Sequence, residues 1–442
     1  KELSIRSKIK KLRDQLDDAE NSEKIETDCS AVSENNNVVE KAAERSETSP
    51  EETKPEESSD EVIDATTEDD IMAAGSKNEL VNEATAIEHN KIEVADEPVD
   101  YYNDVKMPKL KTDEKRVVSV IGNGSFGTAI ANVIAYNGHR VTIYGRNKDD
   151  INKIRESRVN EKYLPGAILH DKLRFTSNVR TAVGKRDIII FAIPAQQFGS
   201  FLEKNAKYID KNAIIVNLAK GIENKSLKTM SQIAKKFLKN KYVAGPSHAE
   251  EIVRNYPTTV VAASSDEKAA IEIQNIMMSN TFRVYTSSDI IGVELGGALK
   301  NVIALGTGIT DGMNFGDNSK AALMTRGIHE ISRLGEAMGA KSETFAGLSG
   351  IGDLMVTCSS DLSRNRRCGL LIGGGMTPEE AVAEIKTTVE GFYTVEAASK
   401  LAKKLKVDMP ITNAIKSVID GKLNPRDAVE ILMNRDRKQE NK

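Results

Sequence analysis

Residues 117–147 read VVSVIGNGSFGTAIANVIAYNGHRVTIYGRN. A β-branched run ends in a glycine turn, an amphipathic helical pattern follows, and a second β-branched run closes the stretch. Gly122, Gly124 and Gly127 make G-x-G-x-x-G. A lone match of this kind is weak, but this one lies between a strand signal and a helix signal, where each glycine has a mechanical reason. The first allows the tight turn, the second lets a phosphate approach the backbone, and the third lets helix and strand pack closely. The helix then starts with free N–H groups facing an anion. Without a ligand, the same stretch would be only a tight strand–helix turn.

The alternation continues. VTIYG (141–145), DIIIFAI (187–193), AIIVNLA (213–219), YVAGP (242–246) and TTVVAAS (258–264) are short β-branched runs between longer helical patterns. This predicts a parallel, doubly wound sheet with helices on both faces, a Rossmann-type α/β domain. After about 292 helical spacing takes over, at 292–310, 318–339, 378–386, 394–404, 410–419 and 425–434, and predicts an all-helical second domain. Charge sets a third region apart. Residues 1–100 hold 12 basic and 29 acidic residues, whereas 101–442 hold 50 basic and 37 acidic. The acidic stretch is rich in Glu, Ser, Thr and Asn and too poor in apolar residues to offset ordering entropy. The expected organisation is therefore an acidic, mostly disordered tail over 1–112, in which 1–28 has a thin helical stripe. A dinucleotide-binding domain over 113–291 and a helical substrate domain over 292–436 follow.

The basic body suits anionic ligands such as phosphates, and nucleic acid as well. The chain has no tryptophan, and no aromatics interleave its basic stretch at 363–367, which argues against base stacking. Cys29, Cys358 and Cys368 form no disulfide or C-x-x-C pattern, so a reducing compartment is the easier reading and no metal is expected. The run IIIFAIPA at 188–195 is too short to span a bilayer. A cytoplasmic setting is expected, with an organelle open because the sequence starts at a lysine.

About 20 residues past the glycine loop a dinucleotide domain often carries a carboxylate for the ribose 2′-hydroxyl. Here the strand ends in Tyr144, Gly145, Arg146 and Asn147. Arg146 could stack on adenine or hold a 2′-phosphate, so NADP is expected to be tolerated alongside NAD. No second flavin motif is present.

A dehydrogenase acting on a carbinol needs a proton acceptor near the oxygen. Of five histidines only His248, in GPSHAEE, stands in a plausible place, and a role-free loop histidine is the simpler reading. Two lysines stand in unusual company: Lys220 in NLAKGIE, just after a strand, and Lys300 in VELGGALKN, an apolar, small-residue run. Either alone would be a helix-edge cation. The stretch GLSGIGDLMVTCSSDLSRNRRCG at 347–369 adds Asp353 and Thr357, and groups Ser363, Arg364, Asn365, Arg366 and Arg367 into a potential anion clamp.

These blocks have a known order. The chain from about 115 to 434 resembles the NAD(P)-dependent glycerol-3-phosphate dehydrogenase family through GNGSFGTA, NEKYLPG, AIPAQQF, NLAKGIE, AGPSHAEE, VELGGALKN, GMNFGDNSKAAL, LSGIGDLMVTC, SRNR and TTVEGFYT. The resemblance implies interconversion of sn-glycerol 3-phosphate and dihydroxyacetone phosphate with NAD or NADP, in carbohydrate metabolism and glycerophospholipid biosynthesis. By that resemblance Lys300 is the proton acceptor or donor, Lys220 touches substrate and cofactor, and Asp353, Asn301 and Thr357 complete the catalytic polar group. Gly245, Ser247, Ser363, Arg364 and Asn365 would join Lys220 and Asp353 around the substrate. Gly122, Gly124, Ser125, Phe126, Gly127, Arg146, Phe198, Lys220, Ala249, Arg364 and Glu390 would meet the cofactor. A homodimer is also implied, with no nucleic-acid partner. The small residues Gly296, Gly297 and Ala298 are expected to bring a helix close to the nicotinamide. A non-catalytic nucleotide-sensing or scaffold protein and a 6-phosphogluconate or ketopantoate-type dehydrogenase are the competing readings. The filled catalytic positions argue against the first, and the SRNR clamp with the GPS block argues against the second.

Overall fold

The computed structural model describes residues 97–106, 114–245, 249–437 and 439, without the side chains of 249 and 250. The expectations for residues 1–96, and those for Ser247 and His248, lie outside the described residues; so does the Ala249 side chain. In chain order the sheet region contains β1 (Val117–Ile121), α1 (Ser125–Tyr136), β2 (Arg140–Tyr144), α2 (Lys148–Ser157), β3 (Val159–Asn160), β4 (Leu164–Ile168), β5 (Arg174–Thr176), α3 (Val179–Val183) and β6 (Ile188–Phe191). It continues with α4 (Ala195–Asn205), β7 (Ile214–Asn217), α5 (Met230–Phe237), β8 (Tyr242–Ala244), α6 (Ala249–Val253), β9 (Thr258–Ala263), α7 (Glu267–Met277) and β10 (Phe282–Ser287).

The main sheet has the order β10-β9-β8-β7-β6-β1-β2-β5. Its pairs are parallel except for one antiparallel pair, Ala244 with Ala263, between β8 and β9. The inner strands β6 and β7 are buried at every position, so they read in the sequence as unbroken apolar runs rather than alternations. Successive strands leave β1 toward β2 and β5 on one side and toward β6 on the other. That reversal opens a crevice at the carboxyl ends of β1 and β6, where such sheets bind ligands. Gly122 N–H donates to Tyr144 O (2.9 Å) and Ala192 N–H to Ile121 O (2.9 Å), which seats the glycine turn in this crevice. β3 with β4 forms a separate two-stranded hairpin beside it. β3, β4, β5 and β10 carry no clear sequence signal. β3 is two residues long, and β10 exposes alternate polar positions.

Among the described residues no strand follows β10. The helices are α8 (Ile290–Gly312), α9 (Asp317–Ala337), α10 (Ser342–Ala346), α11 (Asp353–Ser359), α12 (Arg364–Gly373), α13 (Pro378–Ile385), α14 (Glu390–Leu405), α15 (Pro410–Ile419) and α16 (Pro425–Met433), with a π turn at Leu348–Gly352. α8 is apolar and long enough to cross a membrane, yet 89% of its most apolar stretch is buried within the body, so it is the core helix of this half. It lies unusually close to α12. A Cβ on Gly308 would fall 2.0 Å from Arg366 O, and one on Gly369 would fall 2.0 Å from Leu305 O. Only glycine permits this approach, and it brings the start of α12 beside the middle of α8.

One part of the segment read as tail is packed instead. In residues 97–106 Tyr102 is 4% exposed and joins the core on the α1 side of the sheet. Two adjacent tyrosines supply the apolar area that the rest of the acidic stretch lacks.

Candidate active site

The glycine loop has the geometry the spacing predicts. Gly122 has φ +120°, and a Cβ there would lie 2.3 Å from Ala192 O. A Cβ on Gly127 would lie 2.4 Å from Gly122 O, so this position sets the helix–strand approach. Gly124 differs: nothing stands within 4 Å of its Cβ position. It caps α1 without a side-chain bond, so the first N–H groups of the helix open onto free space. The space is a cleft of about 1310 Å³, lined on one side by Gly122, Gly124, Ser125, Phe126, Gly127, Tyr144 and Arg146. Its walls also hold Lys162, Lys204, Lys220, Lys300, Arg364 and Lys386, against a single carboxylate, Glu390, among the described residues. An uncovered helix N-terminus in a cationic cleft of this size fits a dinucleotide with its pyrophosphate at Gly124.

Arg146 is exposed on the cleft wall. Its neighbour Asn147 is committed to capping α2, accepting from Asp149 N (2.8 Å) and Asp150 N (3.1 Å). Lys220 follows β7, and its Nζ sits 5.5 Å from the centre of the Phe126 ring. The turn before it is fixed by Asn217, whose Nδ2 donates to Ala219 O (3.0 Å).

The helical half supplies the opposite wall. Lys300, in the middle of α8, is 1% exposed and ion-paired through Nζ with Asp353 Oδ1 at the start of α11. Burying an ammonium is costly unless it is paired, and this pairing meets that requirement. Thr357 Oγ1 donates to Asp353 O (2.6 Å), one turn back. Lys300, Asn301 and Thr357 all line the cleft. Asn365 Nδ2 donates to Asn301 Oδ1 (2.9 Å), and Asn365 Oδ1 accepts from Gly391 N (2.8 Å), so two amides lock α8, α12 and α14 together. Ser363 caps α12, accepting from Arg366 N (3.3 Å). Arg364 crosses the cleft: its Nη2 donates to Ser125 Oγ in the glycine loop (3.1 Å).

The arrangement therefore puts a dinucleotide loop, an arginine at a helix N-terminus and a buried, ion-paired lysine around one cleft. Residues 117–270 match the model of the NAD-dependent glycerol-3-phosphate dehydrogenase N-terminus, and 289–430 match that of its C-terminus. The glycerol-3-phosphate dehydrogenase [NAD(P)+] of Thermoanaerobacter sp. is 49% identical over 325 residues, covering 73% of this chain and 98% of that protein. The chain belongs to the NAD-dependent glycerol-3-phosphate dehydrogenase family. The corresponding enzyme of Fusobacterium nucleatum is 46% identical over 328 residues, covering 73% and 98%. The crystal structure of a glycerol-3-phosphate dehydrogenase from Coxiella burnetii has a TM-score of 0.70 and 33% identity, covering 73% of this chain and all of that one. The cofactor of this glycerol-3-phosphate dehydrogenase family member is accordingly NAD or NADP.

Glu390 opens α14 at the cleft. Burial pushes its carboxyl up to about 7, against the opposing pull of the Ala195 N–H, Arg364 and Lys220. Its Oε2 is buried with no hydrogen-bond partner among the described residues, and so is Thr394 Oγ1 one turn on. A buried acceptor left open beside the glycine loop's partner Arg364 is a feature that a bound cofactor could satisfy.

Several sequence expectations change. Phe198 does not line the cleft. It is fully buried, edge-on to Phe191 with ring centres 5.1 Å apart. Gln197, Ser200, Phe201 and Lys204 face the cleft instead, because they share the opposite face of α4. Gly245 follows β8 and lines a small apolar void with Leu218 and Phe126, and is not among the residues that line the cleft. Arg366 is outside the clamp: Nε pairs with Asp311 (2.7 Å) and Nη1 with Asp361 (2.5 Å). Gly296 meets the π turn, where a Cβ would lie 2.1 Å from Ser349 O, and Ala298 is in the helical core. Gly296 thus lets α8 seat the π turn that leads into Asp353.

Other residues carried no assigned role in the sequence analysis, although most of them fall within its quoted blocks. Lys162 and Tyr163 in the hairpin turn, and Lys386, Thr387 and Tyr393 around the start of α14, line the cleft. Glu294, fully buried, accepts from Ser231 N (2.8 Å), Ser231 Oγ (2.6 Å) and Tyr242 Oη (2.6 Å), tying α8 to the sheet domain. The only sign of it in the sequence is a lone carboxylate in an apolar run.

Proposed function

We propose that this chain interconverts sn-glycerol 3-phosphate and dihydroxyacetone phosphate, with Lys300 handling the proton at the C2 oxygen. The observation that carries the reading is buried Lys300, which is ion-paired with Asp353 and lines the same cleft as Arg364 and the glycine loop. Arg364, Asn365 and Ser363, at the N-terminus of α12, would hold the substrate phosphate, where helix dipole and guanidinium act together. Lys220 would face the same phosphate from the sheet side. Bound NAD(P) supplies the hydride acceptor at C2, or in its reduced form the donor. In the oxidising direction the C2 hydroxyl gives its proton to the Lys300 amine as the C2 hydride leaves and the carbonyl forms. In the reducing direction the Lys300 ammonium returns that proton to the carbonyl oxygen. Asp353 holds the ammonium in place and, with Thr357 and Asn301, orients the oxygen.

The test is oxidation of NADH and NADPH with dihydroxyacetone phosphate and with dihydroxyacetone. A phosphate clamp predicts turnover with the phosphorylated ketone and a much lower kcat/KM without the phosphate. Equal rates, or none with either ketone, would overturn the reading. We also propose a homodimer and a cytoplasmic setting, both on the strength of the family resemblance. Light scattering at twice 48.3 kDa supports the dimer, and a single chain mass refutes it.

A further inference from the structure

The segment Glu97–Lys106 lies upstream of the family match, which begins at Val117, yet it is built into the sheet domain. Val99 adds a parallel bridge to the edge of β4: its N–H donates to Gly166 O (2.9 Å), and its carbonyl accepts from Ile168 N (2.9 Å). Tyr102 is buried and donates through its hydroxyl to Ile252 O in α6 (2.7 Å). Its ring stacks on Tyr136, the last residue of α1, with centres 4.4 Å apart. Asp100 closes the group by accepting from Tyr136 Oη (2.8 Å) and Tyr102 N (3.0 Å). The arm thus grips both the far end of the glycine-loop helix and the β3–β4 hairpin.

The hairpin leads directly to the loop. Asn160 in β3 is 1% exposed, and its Nδ2 donates to Asn123 O (2.9 Å) and Thr128 Oγ1 (2.9 Å). Asn123 lies between Gly122 and Gly124. A backbone carbonyl held there fixes which way the neighbouring N–H groups point.

We propose that residues 97–106 are a positioning arm for the cofactor site, acting through the hairpin and Asn160 to hold the glycine loop in its binding form, with Tyr102 as the anchor. The arm touches no cofactor atom. It lowers the cost of ordering the loop when the dinucleotide binds, and preorganisation of this kind appears as affinity rather than as turnover. The inference rests on the glycine loop being the NAD(P) site, which NADH binding by the wild-type chain tests by itself.

The experiment uses the full chain. NADH titration, followed by fluorescence, gives the Kd of wild type, Tyr102→Ala, Tyr102→Phe, Val99→Pro, Asn160→Ala and the double variant Tyr102→Ala with Asn160→Ala. Steady-state assays at saturating NADH give kcat and the KM for dihydroxyacetone phosphate. Tyr102→Ala and Val99→Pro are expected to raise the NADH Kd several-fold while kcat and the ketone KM stay near wild type. Tyr102→Phe, which keeps the stack and loses the bond to Ile252, falls between wild type and Tyr102→Ala. The double variant is expected to be little worse than Asn160→Ala alone, because residues acting through one contact are not additive. An unchanged Kd in folded Tyr102→Ala and Val99→Pro overturns the proposal. So does full additivity with Asn160→Ala, or an equal fall in kcat and affinity. Should Tyr102→Ala fail to fold, Val99→Pro and Tyr102→Phe carry the same comparison.

Discussion

Glu390 makes the stability of the unliganded enzyme depend on pH in a direction opposite to that of an ordinary surface carboxylate. Its carboxyl titrates near 7 in the fold, against 4.5 when exposed. Burial is the main cause. The Ala195 N–H and the nearby Arg364 and Lys220 reduce the shift without cancelling it. A raised acid binds more protons folded than unfolded, so its contribution is fully present below about 4.5 and is lost as pH rises through about 7. At about 1.4 kcal/mol per pH unit, the loss across this window comes to about 3 kcal/mol. Glu390→Gln keeps the shape and removes the titration. Urea unfolding of both proteins, followed by circular dichroism at steps from pH 4.5 to 8.5, isolates the effect as a difference. Glu294 and Glu330 are also raised by burial, and they contribute equally to both curves. The variant should gain on the wild type by roughly 3 kcal/mol as pH rises through the window, with most of the gain between 5 and 7. Parallel curves, or a wild type that gains on the variant with rising pH, would refute the reasoning. Excess NADH should shrink the difference if the cofactor meets the buried Oε2.

Two further predictions separate fold from binding at the dinucleotide loop. Gly124 has ordinary extended backbone and open space at its Cβ position, so Gly124→Val should melt like wild type but raise the NADH Kd at least about tenfold. Gly122, at φ +120° and crowded by Ala192 O, should behave in reverse: Gly122→Ala should lose roughly 1–3 kcal/mol of stability in urea unfolding. Arg146 is exposed on the cleft wall, and we propose that it meets the 2′-phosphate of NADP. Arg146→Ala should therefore raise the KM for NADPH about tenfold while changing that for NADH little, since bonds to charged groups are worth about 1.5–3 kcal/mol.

The elements that could be read from the chain were those whose signal is local. Buried parallel strands give unbroken apolar runs, and the glycine loop carries its own geometry, so Gly122, Gly124 and Gly127 could each be given a reason before any coordinates. Lys300, Asp353, Arg364 and Asn365 could be grouped because the family pattern orders them; the structure brings Lys300, Arg364 and Asn365 to one cleft and pairs Asp353 with Lys300. What the chain did not show depends on tertiary placement. The phase of α4 buries Phe198 and brings Phe201, three residues on, to the cleft, a difference that composition does not encode. Arg366 looks identical to Arg364 in sequence and is removed from the site only by Asp311 and Asp361. Gly308 and Gly369 match across α8 and α12, some sixty residues apart, and neither predicts the other. The arm at 97–106 was hidden by its acidic surroundings, because two tyrosines scarcely alter the composition of a segment that long.

In the proposed mechanism the buried lysine of α8 moves the proton. Lys300→Met keeps the apolar stem and removes the charge, and the measurement is kcat for dihydroxyacetone phosphate reduction beside the NADH Kd of the same preparation. The expected kcat is lower by at least about 10²–10⁴, with NADH binding within about twofold of wild type because Lys300 does not hold the glycine loop. Turnover near wild type in a variant that still binds NADH would contradict it.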